Sequence, residues 1–294
     1  MIIVKLMGGL GNQMFQYAAG KRLATLHKTE LKLDKGILGK PVQEGVTPRE
    51  VELDLLRVNL LWASRQEIDS YRNKGSGKYI RMMQRKFPFL FREMYLAESG
   101  HGYYSRFNQL PSKVYLDGFW QSEKYFADIR QILLSEFKPK ENLSGLNSEW
   151  ISNIKSCNSV SVHIRRGDYV SNTQANHFHG VLPISYYQDA VSFITKDVMN
   201  PVFFVFSDDT NWVKDNFRLD YPTYIISHNR ARNSVFDLEL MSACQHNIIA
   251  NSSFSWWGAW LNASPQKIVV APKFWFRDNP SLADDLIPSS WHRL

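Results

Sequence analysis

Four short blocks of this 294-residue sequence combine residue types that bind anions or transfer protons. One of them is His163-Ile-Arg165-Arg166-Gly167-Asp168-Tyr169, which follows an apolar, β-branched run. An arginine at the end of a strand can donate two parallel hydrogen bonds to a diphosphate. We therefore predict that Arg165 binds phosphate oxygens. A structural ion pair between Arg166 and Asp168 is the alternative interpretation of this block.

A glycine-rich turn, Gly8-Gly9-Leu10-Gly11-Asn12-Gln13, links the first predicted strand to the first predicted helix. Backbone N–H groups at a helix start favour an anion. The turn lacks the Gly-Lys-Ser/Thr of a P-loop, and Met14 stands where a dinucleotide fingerprint has its third glycine. The carboxamides of Asn12 and Gln13 suit hydroxyls or phosphate oxygens. A tight turn that only needs glycine dihedrals is the alternative.

Two adjacent acids end the third block, Phe204-Val-Phe206-Ser207-Asp208-Asp209. Asp209 has the acceptor oxygens that paired N–H donors, such as those of a guanine edge, require. Helix capping by Ser207 or Asp208 is the alternative, and both roles are compatible. Because adjacent acids are not the Asp-x-Asp of a metal site, we infer no divalent ion.

The fourth block runs from Asn251 to Trp260 and opens with hydroxyl side chains at a predicted helix start. Such a start is a second candidate anion site. Ser252, Ser253 and Phe254 are its ligand candidates. The alternative is a pair of N-capping serines followed by an aromatic core helix. We assign the tryptophans of the block, at positions 256, 257 and 260, mainly to packing.

Strands and helices alternate along the chain in a way that is typical of an α/β protein with mostly parallel sheets. A polar break around Pro139 divides the chain into two predicted domains, residues 1–139 and 140–294. The predicted strands are 2–7, 31–33, 114–116, 160–164, 202–206, 223–226, 247–250 and 268–270. The predicted helices are 13–27, 122–137, 185–194, 210–216, 234–244 and 254–261. Ligands in such folds bind at the carboxyl ends of strands, in a cleft between the halves.

The composition excludes several classes of protein. With 44% hydrophobic and 21% charged residues, the chain is neither disordered nor a coiled coil. Its 2 cysteines provide no disulfide framework and no zinc-ligand spacing. No apolar run reaches the length of a membrane span, and the N-terminal one is too short for a signal peptide, so we expect a soluble, cytoplasmic protein.

The formal charge is +7, which composition alone does not assign to a nucleic acid, an anionic membrane or an anionic substrate. Basic and aromatic residues interleave only in residues 81–92, and the remaining excess is scattered. A nucleic-acid-binding module is therefore disfavoured. The basic stretch leaves open a peripheral contact with the inner membrane or with a lipid-linked acceptor.

Together the blocks resemble the α1,2-fucosyltransferases of glycosyltransferase family 11. The resemblance rests on residues 8–17, 163–169, 206–209 and 251–260, which occur in the family's order. It implies a GT-B fold, with two Rossmann-like domains facing each other across a cleft. It also implies an inverting transfer of L-fucose from GDP-β-L-fucose to O-2 of a terminal galactose, without a metal or other cofactor.

The resemblance also suggests a role for individual residues. Arg165 resembles the arginine that holds the β-phosphate and neutralises the departing GDP. His163 and Asp209 resemble the pair that reads guanine. Around the phosphates the matching residues are Ser252, Ser253 and Phe254. On the N-terminal loop, Asn12 faces the fucose and the acceptor, and Gly11 and Gln13 lie on the acceptor side.

Two questions stay open at the level of sequence. Asp168 is our candidate for the general base of an inverting reaction, with a structural role as the alternative. The linkage is open as well, since α1,3 transfer or protein O-fucosylation would use the same donor. We expect acceptor choice to depend on residues 36–102, where no regular pattern is visible.

Overall fold

The computed structural model describes residues 1–41, 48–72, 78–100, 102–167, 170, 177, 180–277 and 284–294. These residues form two compact units. The first unit contains the described residues of 1–137 together with 284–286. The second contains the described residues from 138 onward, apart from those three. The units divide between residues 137 and 138, and the domain boundary after residue 139 stays a prediction.

The first unit is built on a sheet of four parallel strands in the order β2-β1-β4-β3. Its strands are β1 (Ile2–Lys5), β2 (Leu31–Asp34), β3 (Met94–Ala97) and β4 (Val114–Asp117). Its helices are α1 (Leu10–Leu26), α2 (Arg65–Arg72), α3 (Lys78–Lys86) and α4 (Arg130–Glu136). Because the strands are parallel, their carboxyl ends meet at one edge of this sheet.

The second unit is built on a sheet of six parallel strands in the order β10-β9-β8-β5-β6-β7. Its strands are β5 (Asn158–Ile164), β6 (Pro201–Ser207), β7 (Thr223–Ile226), β8 (His246–Ile248), β9 (Val269–Ala271) and β10 (His292–Arg293). Its helices are α5 (Leu146–Lys155), α6 (Ile184–Ile194), α7 (Thr210–Asn216), α8 (Ser234–Ala243) and α9 (Ser253–Leu261). The α/β class with parallel sheets is thus confirmed.

Strand β5 lies in the middle of this sheet and is covered on both faces. Val160 and Val162 pack into an apolar cluster with side chains of α6, such as Tyr187. The opposite face carries Ser161, whose hydroxyl oxygen accepts a 2.7 Å hydrogen bond from the amide of Asn247 on β8. Strands that are buried on both faces are typical of parallel sheets.

Two parts of the first unit differ from the sequence expectation. The helix predicted for 122–137 is broken: short 3₁₀ turns at 123–125 and 127–129 precede α4. Phe126 interrupts it with a φ of −148°, which lets its fully buried ring pack 6.0 Å from that of Phe15. Strand β3 and helices α2 and α3 lie where no pattern was visible, because short elements show too few periods.

The sequence predicts no membrane span. In the described part of the chain, none of the helices is both long and apolar enough to cross a membrane.

Candidate functional site

The predicted site blocks of the second unit follow three adjacent strands of its sheet. Arg165 follows β5, Asp208 follows β6, and Ser252 lies shortly after β8. Strand β5 pairs in parallel with both β6 and β8, so all three blocks lie at the same edge. We call this the carboxyl edge of the second sheet. It is the part of an open α/β sheet where ligands bind.

Asp208 holds the segment that follows β5. Its Oδ2 lies 2.9 Å from Nη1 of Arg165, and its Oδ1 accepts a 2.8 Å hydrogen bond from the backbone N–H of Arg166. The side chains of Arg165 and Asp208 are about one quarter exposed. The predicted phosphate ligand Arg165 is therefore oriented by a carboxylate, and it remains accessible at the surface. Sequence reasoning missed this role, because the two residues are far apart along the chain.

The side chain of Arg166 is held by the residue that caps α7 and by a tryptophan of that helix. Its Nε lies 3.3 Å from Oδ2 of Asp209, and its guanidinium carbon lies 3.7 Å from the ring centre of Trp212. This is the structural ion pair of the block, with Asp209 as the partner. The predicted partner, Asp168, lies outside the described residues, and so does its proposed role as a base.

Asp209 caps helix α7. Its Oδ1 accepts a 3.2 Å hydrogen bond from the backbone N–H of Trp212. The expectation that Ser207 or Asp208 would be the cap is wrong, because β6 continues to Ser207 and Asp208 is drawn to the segment after β5. Asp209 thus combines a cap with an ion pair, and its side chain is still about one third exposed.

His163, near the end of β5, is almost fully buried and carries an unusual polar atom. Its Nδ1 has no hydrogen-bond partner among the residues that the structure describes. Its ring lies 5.9 Å from the ring of Phe254. Burial lowers the pKa of His163 to about 4; Arg165 lowers it further, whereas Asp208 opposes the shift. The imidazole is therefore neutral at pH 7 and offers a partner to a polar ligand group.

Helix α9 begins with the predicted Ser252, Ser253 and Phe254. Ser252 is the N-cap residue, yet its side chain makes no capping hydrogen bond. Backbone N–H groups and the helix dipole make such a start favourable for an anion. The neighbouring tryptophans are buried, which confirms their assignment to packing: Trp256, Trp257 and Trp260.

The loop that follows β7 contributes to a polar cluster with α5 and α8. Sequence reasoning missed this cluster. Asn229 donates a 2.7 Å hydrogen bond to Asp237 on α8 and a 2.9 Å hydrogen bond to Asn147 on α5. His228 also contacts Asn147, at 2.8 Å. Burial raises the pKa of Asp237 to about 7, although the hydrogen bond from Asn229 lowers it. The cluster ties the β7 loop to two helices.

The glycine turn of the first unit is a tight entry into α1. The helix begins at Leu10, so the predicted acceptor-side residues Gly11, Asn12 and Gln13 lie in its first turn and not in a loop. Gly8 has a φ of +76°, which favours glycine. A Cβ added to Gly8 would also lie 2.4 Å from Nδ2 of Asn12.

The carboxamide of Gln13 is fully buried and bonded to the backbone. Its nitrogen donates to the carbonyl oxygens of Gly8 (2.9 Å) and Glu50 (2.8 Å). Its oxygen accepts from the N–H groups of Glu52 (2.9 Å) and Leu53 (3.3 Å). All four hydrogen-bonding positions are thus occupied. This corrects the expectation that Gln13 binds a ligand: it holds the turn together.

Asn12 is more accessible than its neighbour. It is half-buried, and its Oδ1 accepts a 2.8 Å hydrogen bond from the side chain of Gln121. Gln121 follows β4, so this contact joins the start of α1 to the loop at the end of an adjacent strand. Gly11, in contrast, is buried. Of the three acceptor-side candidates, Asn12 alone combines exposure with a polar side chain.

Metal ligands would have to come from histidine, cysteine, aspartate or glutamate side chains of the described residues. Among them, no group of three or more histidine, cysteine, aspartate or glutamate side chains is placed to hold a metal ion. The charges at the carboxyl edge are instead paired as Arg165 with Asp208 and Arg166 with Asp209. Each of these two guanidinium groups therefore has a carboxylate beside it that orients it.

The sequence matches known proteins over most of its length. The profile of glycosyl transferase family 11 matches residues 71–292. An α1,2-colitosyltransferase of Escherichia coli is 36% identical, with 100% of this chain and 98% of that protein covered. The galactoside α-(1,2)-fucosyltransferase 2 of Sus scrofa is 26% identical over 60% of this chain and 54% of that protein.

Among solved structures, the fold is similar to that of a mutant of Arabidopsis thaliana FUT1 in complex with GDP. The TM-score is 0.52 at 13% identity, and the match covers 91% of this chain and 69% of that chain. This similarity shows the fold, and the expectation of a GT-B fold with two Rossmann-like units is confirmed. The family match over residues 71–292 and the 36% identity along the whole chain show that this protein is a glycosyltransferase of family 11.

Proposed function

We propose that the protein transfers L-fucose from GDP-β-L-fucose to O-2 of a terminal galactose, with inversion and without a metal ion. The observation that carries the proposal is the grouping at the carboxyl edge of the second sheet: a buried neutral His163, a carboxylate-oriented Arg165 and the start of α9. The α1,2 linkage of the similar enzymes supports the choice of hydroxyl.

The charges at this edge fit the chemistry of the proposed reaction. When the bond between the sugar C1 and the phosphate oxygen breaks, negative charge collects on the diphosphate. A fixed guanidinium and the N–H groups at a helix start stabilise that charge as it develops. Asp208 keeps Arg165 in place before the donor arrives, so little reorganisation is required. The same groups serve any acceptor and any sugar on the same nucleotide.

The guanine base is assigned to His163 and Asp209. The orphaned Nδ1 of the neutral His163 offers a hydrogen-bond partner to a ring N–H or carbonyl group. Asp209 presents an acidic side chain that remains about one third exposed. A base that provides both N–H donors and a carbonyl acceptor satisfies both residues. Asp168 stays the base candidate from sequence.

GDP-colitose is the second candidate donor, and the identity to an α1,2-colitosyltransferase favours it. Colitose is L-fucose without its 3-hydroxyl group, so the donors differ by one hydrogen-bonding group. A site that hydrogen-bonds this hydroxyl rejects the deoxy sugar by about 10⁴-fold or more, whereas a site that leaves it in solvent accepts both. The rate ratio of the two donors therefore identifies the native sugar.

The test is a transfer assay with lactose as acceptor and GDP-fucose, GDP-colitose or GDP-mannose as donor. We expect a trisaccharide whose transferred sugar is linked to O-2 of galactose, as shown by a long-range NMR correlation between its C1 proton and galactose C2. We also expect the same rate with EDTA. A product linked at O-3, or fucose found on protein, would contradict the acceptor assignment, and activity with neither GDP-fucose nor GDP-colitose would contradict the proposal.

A surface of the first unit supports a further partner, an anionic membrane that presents a lipid-linked acceptor. Tyr79, Met82, Phe89 and Leu90 are between 54% and 69% exposed. Basic side chains lie among them in sequence: Arg81, Arg85, Lys86 and Arg92. Exposed apolar groups with a basic surround favour the interface of an anionic bilayer. We call residues 78–92 the basic-apolar segment.

A further inference from the structure

The first unit contains a cavity that is lined by none of the residues proposed to bind the donor. It lies where β3 and β4 end, the edge of this sheet that also carries the start of α1. Its volume is about 190 Å³, which has the size of a single sugar ring. Its lining includes Glu98 after β3, Trp120 after β4, and Arg85, Tyr103 and Tyr104.

Glu98 is held firmly at the wall of this cavity. Its carboxylate accepts hydrogen bonds from the backbone N–H groups of Phe119 (2.6 Å) and Trp120 (3.1 Å). A Cβ on Gly118 would lie 2.3 Å from Cβ of Glu98, so only glycine permits this approach. Burial raises the pKa of Glu98, although both backbone hydrogen bonds lower it. The raised value makes this carboxylate a stronger proton acceptor than an exposed one.

Trp120 shows two features that packing alone does not require. Its backbone has a φ of +54°, a conformation that is strained for a bulky residue. Its side chain is 1% exposed, and among the described residues its indole nitrogen has no hydrogen-bond partner. Strained residues concentrate at functional sites, and a buried donor without an acceptor loses free energy. A ligand with an acceptor group in this cavity would satisfy it.

These groups together match the chemistry of a sugar. Aromatic side chains provide apolar surface, and a few fixed polar groups provide orientation, as in small-molecule sites generally. A carboxylate accepts a hydrogen bond from a sugar hydroxyl, and an indole N–H donates to a ring or hydroxyl oxygen. The link from Gln121 to Asn12 joins this loop to the predicted acceptor-side residues.

We propose that the cavity binds the acceptor galactoside and that Glu98 is the general base of the transfer. This inference rests on the proposed function. The acceptor oxygen forms the bond to C1 of the donor sugar while its proton passes to the carboxylate of Glu98. The bond from C1 to the phosphate oxygen breaks, and its electron pair leaves with GDP. Glu98, and not the sequence candidate Asp168, is the general base in this proposal.

A pH profile separates a base from a residue that only supports the turn. The described titratable and charged groups near Glu98 include Arg85, Tyr103 and Tyr104, which line the same cavity, and Tyr125. The pKa of Tyr125 is raised by burial and further by the charge of Glu98, so this phenol stays neutral across the assay range. We therefore expect the acidic limb of kcat/KM, with lactose varied, to report Glu98.

The experiment compares Glu98→Gln with Glu98→Asp and with the matched control Glu93→Gln, which breaks the ion pair to Lys113. We expect Glu98→Gln to lower kcat about 10²–10⁴-fold and to remove the acidic limb, because an amide accepts the backbone hydrogen bonds but takes up no proton. Glu98→Asp retains the limb with a lower rate. An unchanged rate in Glu98→Gln, or an acidic limb that Asp168→Asn loses and Glu98→Gln keeps, would overturn the proposal.

Binding of a galactoside to the cavity is measured separately from sugar transfer. A failure of the cavity assignment can then be distinguished from a failure of the proposed function. Saturation-transfer NMR with methyl β-galactoside should show contact in the wild-type protein and about three- to tenfold weaker binding in Trp120→Phe, which removes the indole donor. Melting curves of every variant report the fold. Equal binding in Trp120→Phe, or no binding to the wild-type protein, overturns the cavity assignment. Wild-type binding without transfer from any GDP-sugar contradicts the proposed function and leaves the cavity assignment supported.

Discussion

The buried imidazole of His163 makes stability fall in acid, and the size of this effect follows from its pKa. In the unfolded chain a histidine titrates near its ordinary value of about 6.5. In the folded protein, burial lowers the pKa of His163 to about 4. Protons therefore bind more readily to the unfolded state. The stability that the neutral ring contributes is complete above about pH 6.5 and is lost as the pH falls towards 4.

The difference between these two pKa values sets the size of the effect. One pKa unit corresponds to about 1.4 kcal/mol, so the full difference amounts to about 3 kcal/mol. Between pH 7.5 and 4.5 the linkage relation gives about 2.5 kcal/mol, since part of the shift lies below pH 4.5. Other groups titrate in the same window. The effect is therefore defined as a difference between the wild-type protein and a variant without the imidazole.

The assay is urea denaturation of the wild-type protein and of His163→Asn at several pH values. Asparagine has an amide near the position of Nδ1 but does not titrate. The variant also lacks the ring contact between His163 and Phe254, and this lowers its free energy of unfolding by the same amount at every pH. We expect the wild-type free energy of unfolding, minus that of the variant, to fall by about 2–3 kcal/mol from pH 7.5 to 4.5. A difference that stays constant within about 0.5 kcal/mol would refute the account of a neutral, desolvated ring.

Three other outcomes follow from the structure. For Asp237→Asn, the difference in free energy of unfolding between wild type and variant should change with pH in the opposite direction to that for His163→Asn. The pKa of Asp237 is raised to about 7, so the stability that its neutral carboxyl contributes is lost as the pH rises from about 4 to 7. Differences that change with pH in the same direction for both variants would contradict this. Gln13→Ala should lower the free energy of unfolding by about 3 kcal/mol, since it removes the partner of four backbone groups, among them the buried N–H of Leu53; a melting temperature within about 2 °C of wild type would refute the structural role. The double variant Phe89→Ser, Leu90→Ser should no longer sediment with vesicles rich in phosphatidylglycerol, because it lacks two exposed apolar side chains. The matched control Met199→Ser, at another exposed apolar residue, should still sediment. Equal sedimentation of both variants would exclude the basic-apolar segment as the membrane contact.

The carboxyl edge of the second sheet could be predicted from the sequence because its residues directly follow strands. Long apolar strands such as β5 and β6 show their ends plainly, and parallel pairing then brings their ends together. What the sequence does not show is which acid pairs with which arginine. Asp208 holds Arg165, and Asp209 holds Arg166, across more than forty positions.

The first unit was harder to predict, and the reasons are physical. Gln13 has the residue type of a sugar ligand, but its role depends on backbone groups near residues 50–53, and sequence spacing does not reveal such contacts. Glu98 and Trp120 follow four-residue strands, which are too short for a clear pattern. Their significance comes from burial, a positive φ and an unpaired indole, all of which are properties of the folded chain.

The measurement that tests the central claim most directly is fucosyl transfer from GDP-fucose to lactose by wild-type protein and by Arg165→Ala. The control is Arg218→Ala, an exposed arginine beyond the end of α7. If the guanidinium faces the developing diphosphate charge as proposed, its loss should lower kcat about 10²–10³-fold, with the melting temperature and the O-2 linkage of the residual product unchanged. We expect the control to match the wild-type rate. Near-wild-type turnover by Arg165→Ala would contradict the account.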